Sequence, residues 1–300
     1  MKPGPLAKHI AEAISAAIHA EFAIAALEKV GGGCIHEAWM LEGQVAGAPR
    51  RYFAKTNDMP AEPMLVAEAD GLGALARLER LHVARPLLQG NDGERAWLVL
   101  DWMDLVPLDA ASGARLGEAL AAHHRIAQER FGWEKDTFIG ASVQPNGWSG
   151  DWLAFWREKR LVHQLRLAAR NRLPSKMIDR GERLAADCEP FFRHHEPARS
   201  LLHGDLWGGN AAALADGTPV VFDPAVYVGD READVAMTEL FGGFPPEFHS
   251  AYRSAWPLDD GYRVRRDFYN LYHVLNHANL FAGGYVAQAG TSIERLLAEL

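Results

Sequence analysis

The sequence predicts an α+β chain in two lobes, a small antiparallel-sheet lobe over residues 1–101 and a larger, mainly helical lobe over residues 102–300. Three observations predict it. The 300 residues exceed what one hydrophobic core usually organises. Early in the chain, short segments alternate apolar and polar residues between glycines, the period-two pattern of strands. From about Asp101 onward, apolar residues recur instead at helical spacing. With 48% hydrophobic residues, there is material for two cores.

Residues 6–27 read as an amphipathic helix, because Lys8, His9, Glu12, His19 and Glu21 interrupt what would otherwise pass for the apolar stretch of a signal peptide. Residues 22–29, 34–41 and 51–55 read as strands, separated by Gly31-Gly32-Gly33 and by a turn over 43–49. Residues 64–81 place Leu65, Ala69, Leu72, Leu75, Ala76 and Leu78 at helical spacing. Residues 85–88 and 96–102 add two strands, the second nearly all apolar and therefore central. The sum is a five-stranded sheet with one main helix. Asp101-Trp102-Met103-Asp104 then serves as the connector between lobes. Helices follow over 112–129, 150–169 and 176–195, with an aromatic-rich loop over 131–148. Further helices follow over 231–241, 246–256, 261–285 and 292–300. No uninterrupted apolar stretch approaches bilayer thickness.

A formal net charge of −8 without any basic run offers no cationic face to nucleic acid or to an anionic membrane. A small-molecule partner is expected. The two cysteines, Cys34 and Cys188, form neither a disulfide framework nor a zinc pattern, which suits a reducing cytoplasm.

The helical lobe is interrupted once, by Leu201-Leu202-His203-Gly204-Asp205-Leu206-Trp207-Gly208-Gly209-Asn210 and then Val220-Val221-Phe222-Asp223-Pro224. Two short strands there bracket a loop. An acid follows the first strand, an amide comes five residues later, and a second acid ends the next strand. Metal-assisted phosphoryl transfer needs such a set: one carboxylate to orient and deprotonate the attacking hydroxyl, and hard oxygen ligands for magnesium. Asp205 fits the first role, Asn210 and Asp223 the second. Each alone is an ordinary turn residue; the ordered series is what points to chemistry.

The glycines at 31–33 could cover phosphates with backbone N–H groups, although they match neither the Gly-x-Gly-x-x-Gly spacing nor a Walker A motif, and a hairpin turn explains them as well. Lys55 ends a strand two elements later, placed to neutralise phosphates, and Glu68 on the next helix is placed to pair with it. Asp234 opens a helix, either as a first-turn carboxylate favoured by the helix dipole or as a brace for the catalytic loop. His203 fixes the loop backbone rather than reacting. The pairs His123-His124 and His194-His195 cannot face one another on a helix, and His273 with His277 lacks the third ligand of a zinc site. Cys34, at the edge of the glycine loop near Lys55, is a candidate oxidation-sensitive thiol. Cys188 reads as core.

These residues resemble the fructosamine-3-kinase, or ketosamine-3-kinase, family in the aminoglycoside phosphotransferase and choline kinase branch of protein-kinase-like folds. Gly31-Gly32-Gly33-Cys34-Ile35-His36-Glu37-Ala38-Trp39 resembles its nucleotide loop, and Phe131-Gly132-Trp133 with Asn146-Gly147-Trp148-Ser149 its mid-chain loop. More specific are Leu202-His203-Gly204-Asp205-Leu206-Trp207, Phe222-Asp223-Pro224-Ala225-Val226-Tyr227 and Gly229-Asp230-Arg231-Glu232-Ala233-Asp234. Tyr269-Asn270-Leu271-Tyr272-His273 and Leu275-Asn276-His277 carry the likeness toward the end. Two positions depart from it: His36 stands where asparagine is common, and Gly208-Gly209 where Ser-Gly is common.

The resemblance implies a two-lobed protein-kinase-like fold that uses ATP and Mg2+ to phosphorylate the 3-hydroxyl of a ketosamine, whose phosphate then decomposes to regenerate the amine. It implies Asp205 as base, Asn210 and Asp223 as metal ligands, Lys55 with Glu68 as the phosphate-binding pair, and Gly31, Gly32, Gly33, Cys34, Asp101 and Met103 as the nucleotide's further surroundings. Trp207 offers either a stacking face for the sugar or a core wedge. His203 and Asp234 support the loop. The expected partner is a free or protein-bound ketosamine, with no nucleic acid and no membrane, and the chain is expected as a monomer, with a dimer as the alternative. The rival readings are a kinase for an aminoglycoside, choline or a plain sugar, and a nucleotide-binding pseudokinase, against which the intact Lys55, Asp205, Asn210 and Asp223 argue. A metallohydrolase lacks its histidine and carboxylate spacing.

Overall fold

The computed structural model describes residues 4–31 and 35–300. Helix α1 (Pro5–Ile18) carries Pro5 in its first turn, where a missing N–H is harmless, and closes at His19 in the left-handed region with φ 54°. It buries Ala7, Ile10, Ala11 and Ile14. The helix expected over 6–27 therefore stops at Ile18, because the chain must extend for Phe22 to enter the sheet, where its ring meets Tyr52 edge-on at 5.1 Å.

Strands β1 (Phe22–Val30), β2 (Glu37–Val45) and β3 (Ala48–Asp58) follow. Ala46 and Gly47, both at positive φ (50° and 79°), join β2 to β3 in the sense that matches sheet twist. The turn expected over 43–49 thus shrinks to two residues, with β2 and β3 in register from Glu37↔Thr56 to Val45↔Ala48. Helix α2 (Glu62–Arg77) ends short of the expected Leu81, since Glu79 turns the chain at φ 53°. Strands β4 (His82–Val83), β5 (Pro86–Asn91) and β6 (Arg95–Asp101) follow, and β5 and β6 complete a five-stranded sheet that runs β1-β2-β3-β6-β5.

This sheet is buried on both faces, which is why β6 reads as nearly all apolar. Trp97 and Val99 join Ile10, Ile14, Leu41 and Ala54 beneath α1. Ala96, Leu98 and Leu100 face the other way, against Leu65, Leu72 and Leu75 of α2.

Next come β7 (Leu105–Val106) and α3 (Ala110–His124), whose start is fixed by a reciprocal cap between Asp109 and Ser112. The aromatic loop over 131–148 contains a small hairpin, β8 (Thr137–Ile139) and β9 (Ser142–Gln144). Helix α4 (Trp152–Trp156) passes through a π turn (Arg157–Val162) into α5 (His163–Arg170). Helix α6 (Ser175–Asp187) gives way to a short 3-10 turn at Glu189–Phe192, so the helix expected to reach 195 breaks at Pro190, which has no N–H to donate.

The non-helical insertion holds four strands rather than two: β10 (Ser200–Leu202), β11 (Ala211–Leu214), β12 (Pro219–Val221) and β13 (Tyr227–Gly229). β10 pairs with β13, while β11 and β12 lie inside a four-stranded sheet ordered β4-β12-β11-β7. Helices α7 (Glu232–Leu240), α8 (Pro246–Ala255), α9 (Tyr262–Phe281) and α10 (Gly284–Leu297) close the chain. The helix expected over 261–285 ends at Phe281, because Ala282 and Gly283 both take positive φ, 53° and 58°. Buried Tyr269 and Tyr272 of α9 pack around Trp156 at 4.8 and 5.6 Å, centring the large core. No helix among the described residues is long and apolar enough to cross a membrane.

Candidate active site

Strand β10 delivers Gly204 and Asp205 to the cleft. Gly204 sits at φ 81°, and a Cβ there would lie 2.0 Å from the Ala225 carbonyl oxygen, so only glycine permits this approach. Asp234, in the first turn of α7, accepts the backbone N–H of His203 at 2.7 Å and of Gly204 at 2.8 Å. Burial alone would raise its pKa, but the bonds it receives, with His124 foremost, outweigh burial and hold its carboxyl below the usual range. His124 Nε2 lies 3.3 Å from Asp234, and His124 Nδ1 lies 2.9 Å from the Tyr252 hydroxyl.

His203 is a buried link. Its Nε2–H donates to the Phe222 carbonyl at 3.0 Å, and its Nδ1 accepts the Asp205 N–H at 3.3 Å. That pattern needs the neutral imidazole, and burial lowers its pKa accordingly.

Asn210 closes a short 3-10 turn (Gly208–Asn210) and ties the two acids together. Its Nδ2 donates to the Asp205 carbonyl at 2.8 Å and reaches Asp205 Oδ2 at 3.3 Å and the Asp223 carbonyl at 3.4 Å. Among the described residues no group engages its Oδ1. Asp223 follows β12 in the left-handed region at φ 57°, a conformation that aspartate tolerates better than most residues. Its carboxylate is 42% exposed. An amide oxygen and a carboxylate are the hard donors that magnesium prefers, so the residues present fit that ion.

Lys55 comes from the middle of the small sheet, opposite Leu98 of β6. Its ammonium bonds Glu68 at 2.7 Å and also bonds Asp223. Burial would lower its pKa, but the two carboxylates outweigh that and hold it at about 12. Asp205 shows the reverse: burial, reinforced by the neighbouring Asp223 charge, pushes its carboxyl up to about 7. The cleft therefore contains a lysine held protonated and a carboxyl that titrates near neutrality.

Other expected residues fall around this group. His36 joins β2 to β3 through Asn57, whose Nδ2 is 3.0 Å from its Nδ1. Burial, then the Lys55 charge, drop its pKa to about 4. Gly31 follows the last residue of β1, whereas Gly32, Gly33 and Cys34 lie outside the described residues. Asp101 is exposed at the end of β6 and Met103 is half-buried in the connector; neither joins the hydrogen-bonded group. Trp207 is 40% exposed and meets Phe241 edge-on at 6.3 Å, so it is no core wedge. Cys188 is buried, and burial raises its thiol to about 11. His277 spends its Nδ1 on the His273 carbonyl, 2.8 Å away. His195, Glu232 and Asp259 approach one another closely enough for a metal. Arg265 already fills that position, bonding Glu232 at 2.7 Å and Asp259 at 2.5 Å. Sequence reasoning missed His124: both rings of the pair are buried, and nothing in an adjacent His pair reveals that one of them meets Asp234.

A family model described as fructosamine kinase matches residues 6–299. A probable ketoamine kinase of Synechocystis sp. is 41% identical over 293 residues, covering 96% of each chain. The chloroplastic protein-ribulosamine 3-kinase of Arabidopsis thaliana is 37% identical, covering 91% of this chain and 83% of its own. Among solved structures, a candidate fructosamine-3-kinase from Haemophilus somnus superposes with TM-score 0.87 at 30% identity, covering 96% of each chain. A choline kinase from Streptococcus pneumoniae, 15% identical with TM-score 0.63 and covering 99% of this chain and all of its own, shares the protein-kinase-like fold.

Proposed function

The chain belongs to the fructosamine kinase family, and from that premise we propose that it is an ATP-dependent phosphotransferase acting on the 3-hydroxyl of ketosamines. The observation that carries this reading is the coupling of Asp205 to Asp223 through Asn210, opposite Lys55. Fold alone would not select the reaction.

In the proposed reaction, Asp205 accepts the proton of the substrate hydroxyl. That oxygen bonds the γ-phosphorus as the bond from phosphorus to the β–γ bridging oxygen breaks, leaving ADP. A carboxyl titrating at about 7 suits a base near neutrality. Lys55, fixed by Glu68, neutralises phosphate charge. Magnesium, held by Asn210 and Asp223, would neutralise charge on the phosphates. Asp234 and His203 keep the loop from shifting as charge moves. Gly31, Asp101 and Met103 are assigned to nucleotide binding, as are Gly32, Gly33 and Cys34, which lie outside the described residues, and the lobes are taken to divide after Asp101.

A 3-phosphorylated ketosamine carries its leaving group on the carbon next to the C2 carbonyl; once the adduct enolises toward C1, the enaminol would expel inorganic phosphate from C3, and water would hydrolyse the resulting C1 imine to a dicarbonyl sugar and the free amine. We therefore read the role as deglycation, carried out by a cytoplasmic monomer. The test is ADP release with fructosyl-, ribulosyl- and erythrulosyl-amines set against choline, an aminoglycoside and free fructose, with mass spectrometry of the product. ADP release with the ketosamines alone supports the reading; turnover of choline or the aminoglycoside alone removes it.

A further inference from the structure

Side chains along the small sheet alternate between its two faces. Leu41, Tyr52 and Ala54 lie beneath α1, so Phe53, Lys55 and Asn57 of β3 take the other face, the one that meets Asp223. β3 begins this line near the connector, where Tyr52 stands opposite Asp101, passes Lys55 opposite Leu98, and ends at Asp58 opposite Arg95. Asn57 lies two residues past Lys55, about 7 Å farther from the connector. There its Nδ2 meets His36 Nδ1 at 3.0 Å. His36 directly precedes β2, whose Ala38 stands opposite Lys55.

The direction of that bond is fixed. Asn57 Nδ2 also donates to the Ile35 carbonyl at 3.0 Å, and Asn57 Oδ1 accepts the Asp58 N–H at 2.8 Å. These two bonds set which way the amide faces, so Nδ2 donates to His36 Nδ1 and the ring proton sits on Nε2. Among the described residues no group engages that Nε2–H. The charges of Lys55 and Asp223 both act on the ring, and burial together with the lysine keeps it neutral. His36 thus presents one uncharged donor within the field of the two groups assigned to the phosphates. Lys55 has already given two of its three N–H bonds, to Glu68 and to Asp223, so a triphosphate needs further donors on this face.

We propose that His36 binds the terminal phosphates of the nucleotide, its Nε2–H donating to a β- or γ-phosphate oxygen while Nδ1 stays with Asn57. This rests on the phosphotransferase reading above, in which the base lies toward Asp101 and Met103. The phosphates then extend past Lys55, in the direction of His36.

Two amides separate the roles of the two ring nitrogens. In His36→Gln the amide N–H reaches where Nε2–H stood, but nothing accepts from Asn57. In His36→Asn the side-chain carbonyl replaces Nδ1, but the donor falls short of the phosphates. Calorimetry with ATP and Mg2+, with AMP as the control, reads the contact, and thermal melting reads the tie to Asn57. His36→Gln should keep Kd for ATP within about threefold of wild type while losing about 2–4 °C in Tm. His36→Asn should keep the wild-type Tm and raise Kd for ATP about tenfold, the worth of one hydrogen bond to a charged acceptor. Kd for AMP should be the same in all three proteins. Affinity for ATP kept in His36→Asn and lost in His36→Gln would make His36 a tie between strands and overturn the proposal. Equal Kd for ATP in the two variants overturns it too, as does an equal loss for AMP. A wild type that binds ATP no more tightly than AMP removes the phosphotransferase reading, and this contact with it.

Discussion

The carboxylate of Asp234 receives the backbone N–H of Gly204 at 2.8 Å, across 30 residues of sequence. It receives the N–H of His203 as well, so two consecutive amides of the catalytic loop share one acid. Asp234→Asn would turn an amide donor toward one of those N–H groups and leave it unsatisfied. We expect a loss of about 2–4 kcal/mol in stability and a fall in kcat larger than any rise in KM for ATP. Chemical denaturation and steady-state kinetics check both. Wild-type turnover in this variant would show that the loop holds itself.

Asp205→Asn should cut kcat by about 10²–10⁴-fold while leaving nucleotide binding intact, as read by calorimetry. The same change should stabilise the protein at pH 8. A carboxyl raised to about 7 in the fold keeps its proton while the unfolded chain loses one, so native stability falls as pH rises from about 4 to about 7. Asparagine removes that loss. For wild type, kcat/KM should rise with pH and level off above about 7, where Asp205 is ionised. A profile flat from pH 5.5 to 8 would contradict the assignment of Asp205 as base.

Lys55→Met leaves Glu68 buried without its cation, which we expect to destabilise the protein by about 3–5 kcal/mol. Adding Glu68→Leu removes the stranded acid, and most of that stability should return. Turnover should not return, because the phosphates still lack their lysine. Recovery of activity in the double variant would mean that Lys55 acts only in folding.

Asp223→Asn keeps a residue that tolerates φ 57° while removing the charge. Magnesium-dependent stabilisation by nucleotide, measured as a thermal shift, should largely disappear in this variant, whereas Asp205→Asn should retain it. Equal shifts in wild type and Asp223→Asn would exclude Asp223 as the ligand.

The sequence announces most of the small lobe because its signals are long. Residues 96–102 are nearly all apolar since β6 is covered on both faces, and the helical spacing of Leu65, Leu72 and Leu75 marks the face of α2 that does part of the covering. Asp205, Asn210 and Asp223 were legible because their order along the chain is itself a chemical statement. Ends of elements were not. The helices expected over 6–27 and 261–285 stop where His19 and Ala282 adopt positive φ, a choice made by tertiary packing rather than by local preference. Strands β4 and β7 have two residues each, too few to carry a period. His124 became visible only once α3 and α7 were packed together.

Those unannounced strands have a consequence. β4, directly after α2, pairs in parallel with β12 through Val83↔Val221, and the Ala84 N–H continues the seam to the Val221 carbonyl at 3.3 Å. Glu68 rides on α2, and Asp223 lies two residues beyond Val221. The helix that positions the lysine's partner and the strand that leads to Asp223 are thus sewn together beside the cleft. Lys55 bridging Glu68 and Asp223 closes a loop of contacts with no slack in it. Swinging α2 outward to uncouple the lysine would tear that seam. Any change that moves α2 is therefore expected to register at Asp223, and any change at Asp223 to register at Glu68.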